Sequence, residues 1–176
     1  MARKSYRRRY RKSGKWSSNI STILDQYSTV SAGEFKIPIV LAKNSSTNSS
    51  STITQTYTVK NFELTALCEI QNSNTDVFEN MVVYIMYLPE VLDPNSLPTN
   101  FPQLHPEYVM TYKYIGSPHL DSTQNFQPIR VKSRLARKLN SGDRVIAFFQ
   151  GYRTGTSTSA MPINISGLVR YWTKAN

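Results

Sequence analysis

One cysteine stands among 176 residues, so no intrachain disulfide can form, and Cys68 in the run Leu64 to Ile70 reads as a small buried hydrophobe. Histidine is almost as scarce, with only His105 and His119. His105-Pro106-Glu107 matches the H-x-E half of a zinc deaminase, but the P-C-x-x-C half needs cysteines this chain lacks. P-loop, G-x-S-x-G and H-E-x-x-H patterns are missing too, and His119-Leu120-Asp121 reads as a loop pair. No catalytic residue, metal or cofactor is therefore expected. Nor is there a run of 18 apolar residues to span a bilayer, an apolar secretory core near the start, or a glycine after Met1 for myristoylation. Membrane insertion is not expected, and the sequons at Asn19, Asn44, Asn48 and Asn164 read as chance in a chain rich in Ser, Thr and Asn.

Negative charge is absent from the first 24 residues, and that absence frames the main positive feature. Arg3, Lys4, Arg7, Arg8, Arg9, Arg11, Lys12 and Lys15 supply eight of the 21 basic residues, and no acidic residue precedes Asp25. Of the formal net charge of +10, only +2 remains for residues 16–176. Such a segment repels itself and has no apolar face to bury, so residues 1–24 are expected to be a disordered basic arm until a polyanion neutralises them. Nucleic acid fits best, because each cation placed near a phosphate releases a condensed counterion. Tyr6, Tyr10 and Trp16, interleaved with the charges, can stack on unpaired bases. Nuclear import through the same arm is compatible with this reading.

Residues 25–176 are expected to form one all-β domain, since hardly any segment keeps a helical apolar period for three turns. Strands are predicted at 34–42 (with Pro38 at an edge or bulge), 57–70 (with a bulge near Asn61), 81–88, 107–115, 127–135, 144–152 and 163–174. In the fourth of these Tyr108, Met110, Tyr112 and Tyr114 share one face; in the fifth Ile129, Val131 and Leu135 oppose Arg130, Lys132 and Arg134. The run 81–88 is nearly all apolar, as for a strand covered on both faces. Five prolines between Pro89 and Pro106 predict a long surface loop. That loop joins 43–54 and 153–161 as candidate exterior segments.

Several segments carry a resemblance. Arg134-Leu135-Ala136-Arg137-Lys138-Leu139-Asn140-Ser141-Gly142-Asp143-Arg144-Val145-Ile146-Ala147 resembles the "R-x-L-x-SGD" segment in capsid proteins of small circular single-stranded DNA viruses that encode a replication initiator. The ending Gly167-Leu168-Val169-Arg170-Tyr171-Trp172-Thr173-Lys174-Ala175-Asn176 looks like the last strand of that group. Tyr57 to Leu64, and His105-Pro106-Glu107-Tyr108 leading into Tyr112 to Gly116, add to it. The resemblance implies a single jelly roll of two four-stranded antiparallel sheets. It also implies a shell of sixty copies (T=1) around the viral single-stranded DNA genome. The partners would then be the chain itself, that genome, host nuclear import factors and a cell-surface receptor, with the protein in the virion and, during infection, the host nucleus.

A second basic cluster at Arg130, Lys132, Arg134, Arg137, Lys138 and Arg144 is either a DNA-facing inner surface or a solvated strand face with salt bridges. Two other designs share these features. One is the jelly-roll coat protein of a small RNA or satellite virus; the other is a cellular basic nucleic-acid-binding β protein.

Overall fold

The computed structural model describes residues 15–45, 56–70, 77–116, 126–155 and 160–175. Among these residues nine strands form two antiparallel sheets: β1 (Ser17–Val30), β2 (Gly33–Lys43), β3 (Tyr57–Ile70), β4 (Val77–Leu88), β5 (Val109–Gly116), β6 (Phe126–Ser133), β7 (Arg137–Leu139), β8 (Arg144–Thr154) and β9 (Met161–Ala175). Sheet I runs β1-β9-β3-β6, and sheet II runs β2-β8-β4-β5. The chain changes sheet at every connection among its long strands except β4 to β5. That order, in which the first and last strands are neighbours, is the double Greek key of a jelly roll. The expected four strands per sheet are present, with β7 as a fragment. β6 and β7 both pair with β3, at Phe62–Glu69 and Tyr57–Val59 respectively, so together they form one interrupted edge.

Alternation places the core. In β3, Val59, Phe62, Leu64, Ala66 and Cys68 point inward, with the phase shift taken up at Asn61. Asn61 has φ 53°, a left-handed conformation Asn tolerates, and the β3–β9 register breaks between Lys60 and Glu63 as predicted. Across the sandwich, Phe35, Ile37 and Ile39 of β2, Val83 and Ile85 of β4, and Phe149 of β8 complete the core. Pro38 is on β2, an edge strand, where a residue without an N–H is tolerated. Gly167 is where β9 passes β3 most closely: a Cβ there would lie 2.3 Å from the Thr65 carbonyl oxygen.

Several expectations need correction. The first strand begins at Ser17, so an arm reaching residue 24 overlaps β1, which pairs with β9 from Ser17↔Thr173 onward. β6 ends at Ser133, whose hydroxyl donates to the Met110 carbonyl and accepts from the Leu135 N–H. That bend leaves Leu135 48% exposed, not on the inner side with Ile129 and Val131. Tyr108, Met110, Tyr112 and Tyr114 do not share a face: Tyr108 belongs to a 3-10 turn, and the β4–β5 register breaks at Met110, which is buried while Tyr112 and Tyr114 are exposed. The break comes from a bulge, one extra residue that reverses the phase.

The proline-rich segment is the largest correction. Residues 89–108 do not simply run over solvent. They contain a single helical turn, α1 (Phe101–Leu104), and the 3-10 turn Pro106–Tyr108, and they fold onto the outer side of sheet II. There Leu97 and Phe101 pack on Met86 and Leu88 of β4 and on Ile146 and Phe148 of β8, forming a second apolar core. This explains the continuous apolar run in β4: odd-numbered Val83 and Ile85 face the sandwich, while Met86 and Leu88 face the cover. Lys36 of β2 ties the cover down by donating to the carbonyls of Asn95 and Leu97.

The Ser141-Gly142-Asp143 turn is the second fastening. Asp143 is buried, and its carboxylate accepts from the Tyr87 hydroxyl (2.8 Å), the Glu90 N–H (3.1 Å) and the Asn140 N–H (2.8 Å). One side chain thereby holds the end of β4, the start of the cover and its own turn. Gly142 supplies the φ of 83° that the turn requires.

Candidate nucleic-acid interface

Alternation along three adjacent strands of sheet I determines what its outer face carries. In β3, Thr58, Lys60, Glu63, Thr65, Leu67 and Glu69 point away from the core. Their cross-strand partners on β9 include Lys174, Trp172, Arg170 and Leu168, and on the β6–β7 edge Lys138, Lys132 and Arg130. Lys60, Arg130, Lys132, Lys138, Arg170 and Lys174 thus share one surface with two carboxylates, Glu63 and Glu69. No segment covers this surface among the described residues, and Ile20, Leu67 and Leu168 also emerge on it exposed.

Glu63 organises its middle. Its Oε1 receives Arg130 Nη2 at 2.6 Å and Lys132 Nζ at 3.1 Å, and Arg170 is its direct cross-strand neighbour. The hydrogen bonds from Arg130, and then from Lys132, hold the Glu63 carboxyl below the usual carboxylate range. Exposed pairs of this kind contribute little to stability, but they fix the orientation of the cations. Ile20, Glu63, Thr65, Arg130, Leu168 and Arg170 line a shallow groove of about 250 Å3. Among the described residues, no carboxylate forms an ion pair with Lys138, Arg170 or Lys174.

Toward the start of β1 the face becomes aromatic. Lys60 Nζ lies 3.9 Å from the centroid of the Trp16 ring. Lys60 is the direct cross-strand partner of Trp172, which is in turn paired with Ser18 of β1. Lys15 is exposed immediately before Trp16, so the chain leads from this surface into its basic N-terminal segment.

The basic residues expected from the sequence divide accordingly. Arg130, Lys132 and Lys138 reach the open face. Arg137 does not: it pairs with the inward Val59, and its guanidinium donates to the Glu107 carbonyl. Arg144 opens β8 and donates to the Glu90 carbonyl at the cover. Arg134 is exposed in the break between β6 and β7. Arg3, Lys4, Arg7, Arg8, Arg9, Arg11 and Lys12, with Tyr6 and Tyr10, lie outside the described residues, as do His119 and Asp121. His105 and Glu107 do meet, at 3.1 Å, but His105 also packs at a tilt against Phe101 with ring centroids 4.6 Å apart, within the cover of sheet II.

Lys60, Arg170, Trp172 and Lys174 are the contributors the sequence reading missed. The available signal was the period-2 alternation Leu168-Arg170-Trp172-Lys174 in the last strand. Their convergence with Arg130 and Lys132 depends on β3 lying between β9 and β6.

No protein-family model matches the chain, and no curated protein matches it. Among solved structures it is similar to the Desmodium yellow mottle tymovirus (12% identity, 89% of this chain and 86% of that one, TM-score 0.38). A bacterial lipoprotein from Bacteroides thetaiotaomicron is similar at 9% identity over 93% and 84% of the two chains, with a TM-score of 0.43. The VP2 subviral particle of infectious bursal disease virus is similar at 6% identity over 89% of this chain and 37% of that one, with a TM-score of 0.37. At these scores none of the likenesses identifies the chain, and the jelly-roll assignment stands on its own strand order and register.

Proposed function

We propose that this chain is a viral coat protein that assembles with copies of itself into a small closed shell and packages single-stranded nucleic acid, without enzymatic activity. The observation that carries the reading is the placement of charge on a jelly roll: one sheet face is cationic and open, and the chain runs from it into a segment with eight basic residues in its first 15 positions. The resemblance of the Arg134 to Asp143 segment and of the last strand to capsid proteins of circular single-stranded DNA viruses supports circular DNA as the cargo and sixty copies (T=1) as the shell. Sixty arms of eight charges would offset on the order of 480 phosphates. Phosphate contacts of this kind carry little sequence information, so packaging is nonspecific. The same basic segment serves as a nuclear localisation signal for host import factors, and a cell-surface receptor is the remaining partner.

Electron microscopy of the purified protein, followed by nuclease digestion after disassembly, tests this directly. Closed, uniform particles with DNase-sensitive contents are expected. Absence of particles would overturn the coat-protein reading, and RNase-sensitive contents would replace DNA by RNA. Removing residues 1–15 should preserve the fold and sharply reduce the nucleic acid recovered per particle; unchanged content would remove the arm from the packaging step.

A further inference from the structure

We infer that Trp16, Lys60 and Trp172 form a stacking site for an unpaired base on the outer face of sheet I, flanked by Arg170, Lys174 and Lys138 as phosphate contacts. This rests on the packaging reading and adds to it a defined docking site on the folded body, specific for single strands over duplex.

The geometry has three parts. Lys60 on β3 sits opposite Trp172 on β9, and its ammonium reaches over β9 to the Trp16 ring, 3.9 Å from the centroid. The two backbones stand two strand spacings apart, about 10 Å, so the lysine and the indole both lean across β9 to meet. Trp172 remains 37% exposed, so an aromatic surface lies open beside the cation. Around this point Lys138 and Lys174 both pair with Thr58, one on each side of β3, and Arg170 lies two residues before Trp172. Cations and indoles therefore alternate along the last strand and across it.

Charge and chemistry select the occupant. An acidic protein surface would be recognised by the cations alone and would leave the indoles facing water. A duplex offers phosphates but keeps its bases stacked inside. A single strand presents both a phosphate chain and free base faces, the combination that aromatic and basic side chains recognise together. The ammonium over Trp16 already marks that ring as a surface for flat or cationic partners. Among the described residues, the carboxylate beside this end of the face, Glu63, is taken by Arg130 and Lys132.

The chain contains only two tryptophans, and both are in this site. Tryptophan emission of the full chain therefore reports on it without labelling. Titration with an oligothymidylate should quench that emission, whereas an abasic deoxyribose-phosphate oligomer of the same length should bind with little quenching. Trp172→Leu should weaken oligothymidylate binding roughly tenfold while leaving abasic binding unchanged. Lys60→Gln, a conservative change at a half-buried position that keeps the aliphatic stem, should reduce the quench while keeping the thermal midpoint, which guards against a Trp172 variant that fails to fold. Binding of oligothymidylate with unaltered emission, or equal quenching by the abasic oligomer or a duplex, would overturn the stacking site and leave packaging by the arm intact. Failure of the wild-type chain to bind any of these probes would overturn the packaging reading as well.

Discussion

The two outer faces of the sandwich have the same backbone architecture and opposite surroundings. Sheet II presents Met86, Leu88, Ile146 and Phe148 to its outer side and draws residues 89–108 over them. Sheet I presents six cations, two carboxylates and Trp172 on its outer side, with nothing laid over them among the described residues. A cover forms only where apolar area removed from water repays the ordering of a 20-residue connection. Leu97 and Phe101 supply that area on sheet II, while Asp143 fastens the start of the connection and Lys36 its middle. Among the described residues, sheet I carries no comparable apolar patch and no segment over it. The near-neutral body is thus polarised: its modest net charge hides a basic side.

The largest effect should come from removing apolar volume beneath the cover. Phe148 is fully buried, and Phe148→Ala should cost about 3–5 kcal/mol in chemical denaturation, whereas Leu168→Ala, at a half-exposed position on sheet I, should cost under about 1 kcal/mol. Equal costs would erase the distinction between the faces. Next is the fastening: Asp143→Ala leaves three donors without their acceptor and should cost about 2–4 kcal/mol, with earlier proteolysis within residues 89–108 as the local readout.

A milder test concerns Tyr87. Burial, and then its hydrogen bond to Asp143, push the Tyr87 hydroxyl from 10.0 up to about 12. A group whose pKa is raised by folding stabilises fully below its unfolded value and loses that contribution as pH rises to the folded one, so stability should decline between about pH 10 and 12. Tyr87→Phe should flatten that decline and cost about 1 kcal/mol at neutral pH. On the open face the effects should fall on binding and spare stability. Arg170→Ser with Lys174→Ser should shift unfolding by no more than about 0.5 kcal/mol but lower the salt slope of single-strand binding by about 1.4. Glu63→Gln, which releases Arg130 and Lys132, should steepen it.

Some of this was legible in the residues. β3 occupies the predicted span Tyr57–Ile70 with its bulge at Asn61, because a buried strand with strict alternation leaves little freedom of register. β1 was not legible as a strand. Its inward and outward positions are largely Ser, Thr, Asn and Gln, so hydrophobicity does not mark it, and it is held chiefly by its backbone ladder to β9. The cover was hidden for the opposite reason: prolines correctly forbade regular structure, yet spacing along the chain cannot say that Leu97 and Phe101 will find the back of a sheet.

By itself, the sequence determined the composition of the two sides: alternating apolar residues for an all-β core, an apolar excess in β4 and β8, and cations at alternate positions of the later strands. It also determined the basic start of the chain, since charge density needs no partner to be read. Only the tertiary structure decided which residues met. Lys60, Arg130 and Arg170 are far apart in sequence and become neighbours because β3 is inserted between β9 and β6. Arg137 lies close to Lys138 in sequence but leaves the face because adjacent residues of a strand point to opposite sides. The physical reason is that local pattern sets which face a side chain takes, while strand order, fixed by the pairing of distant segments, sets what shares that face.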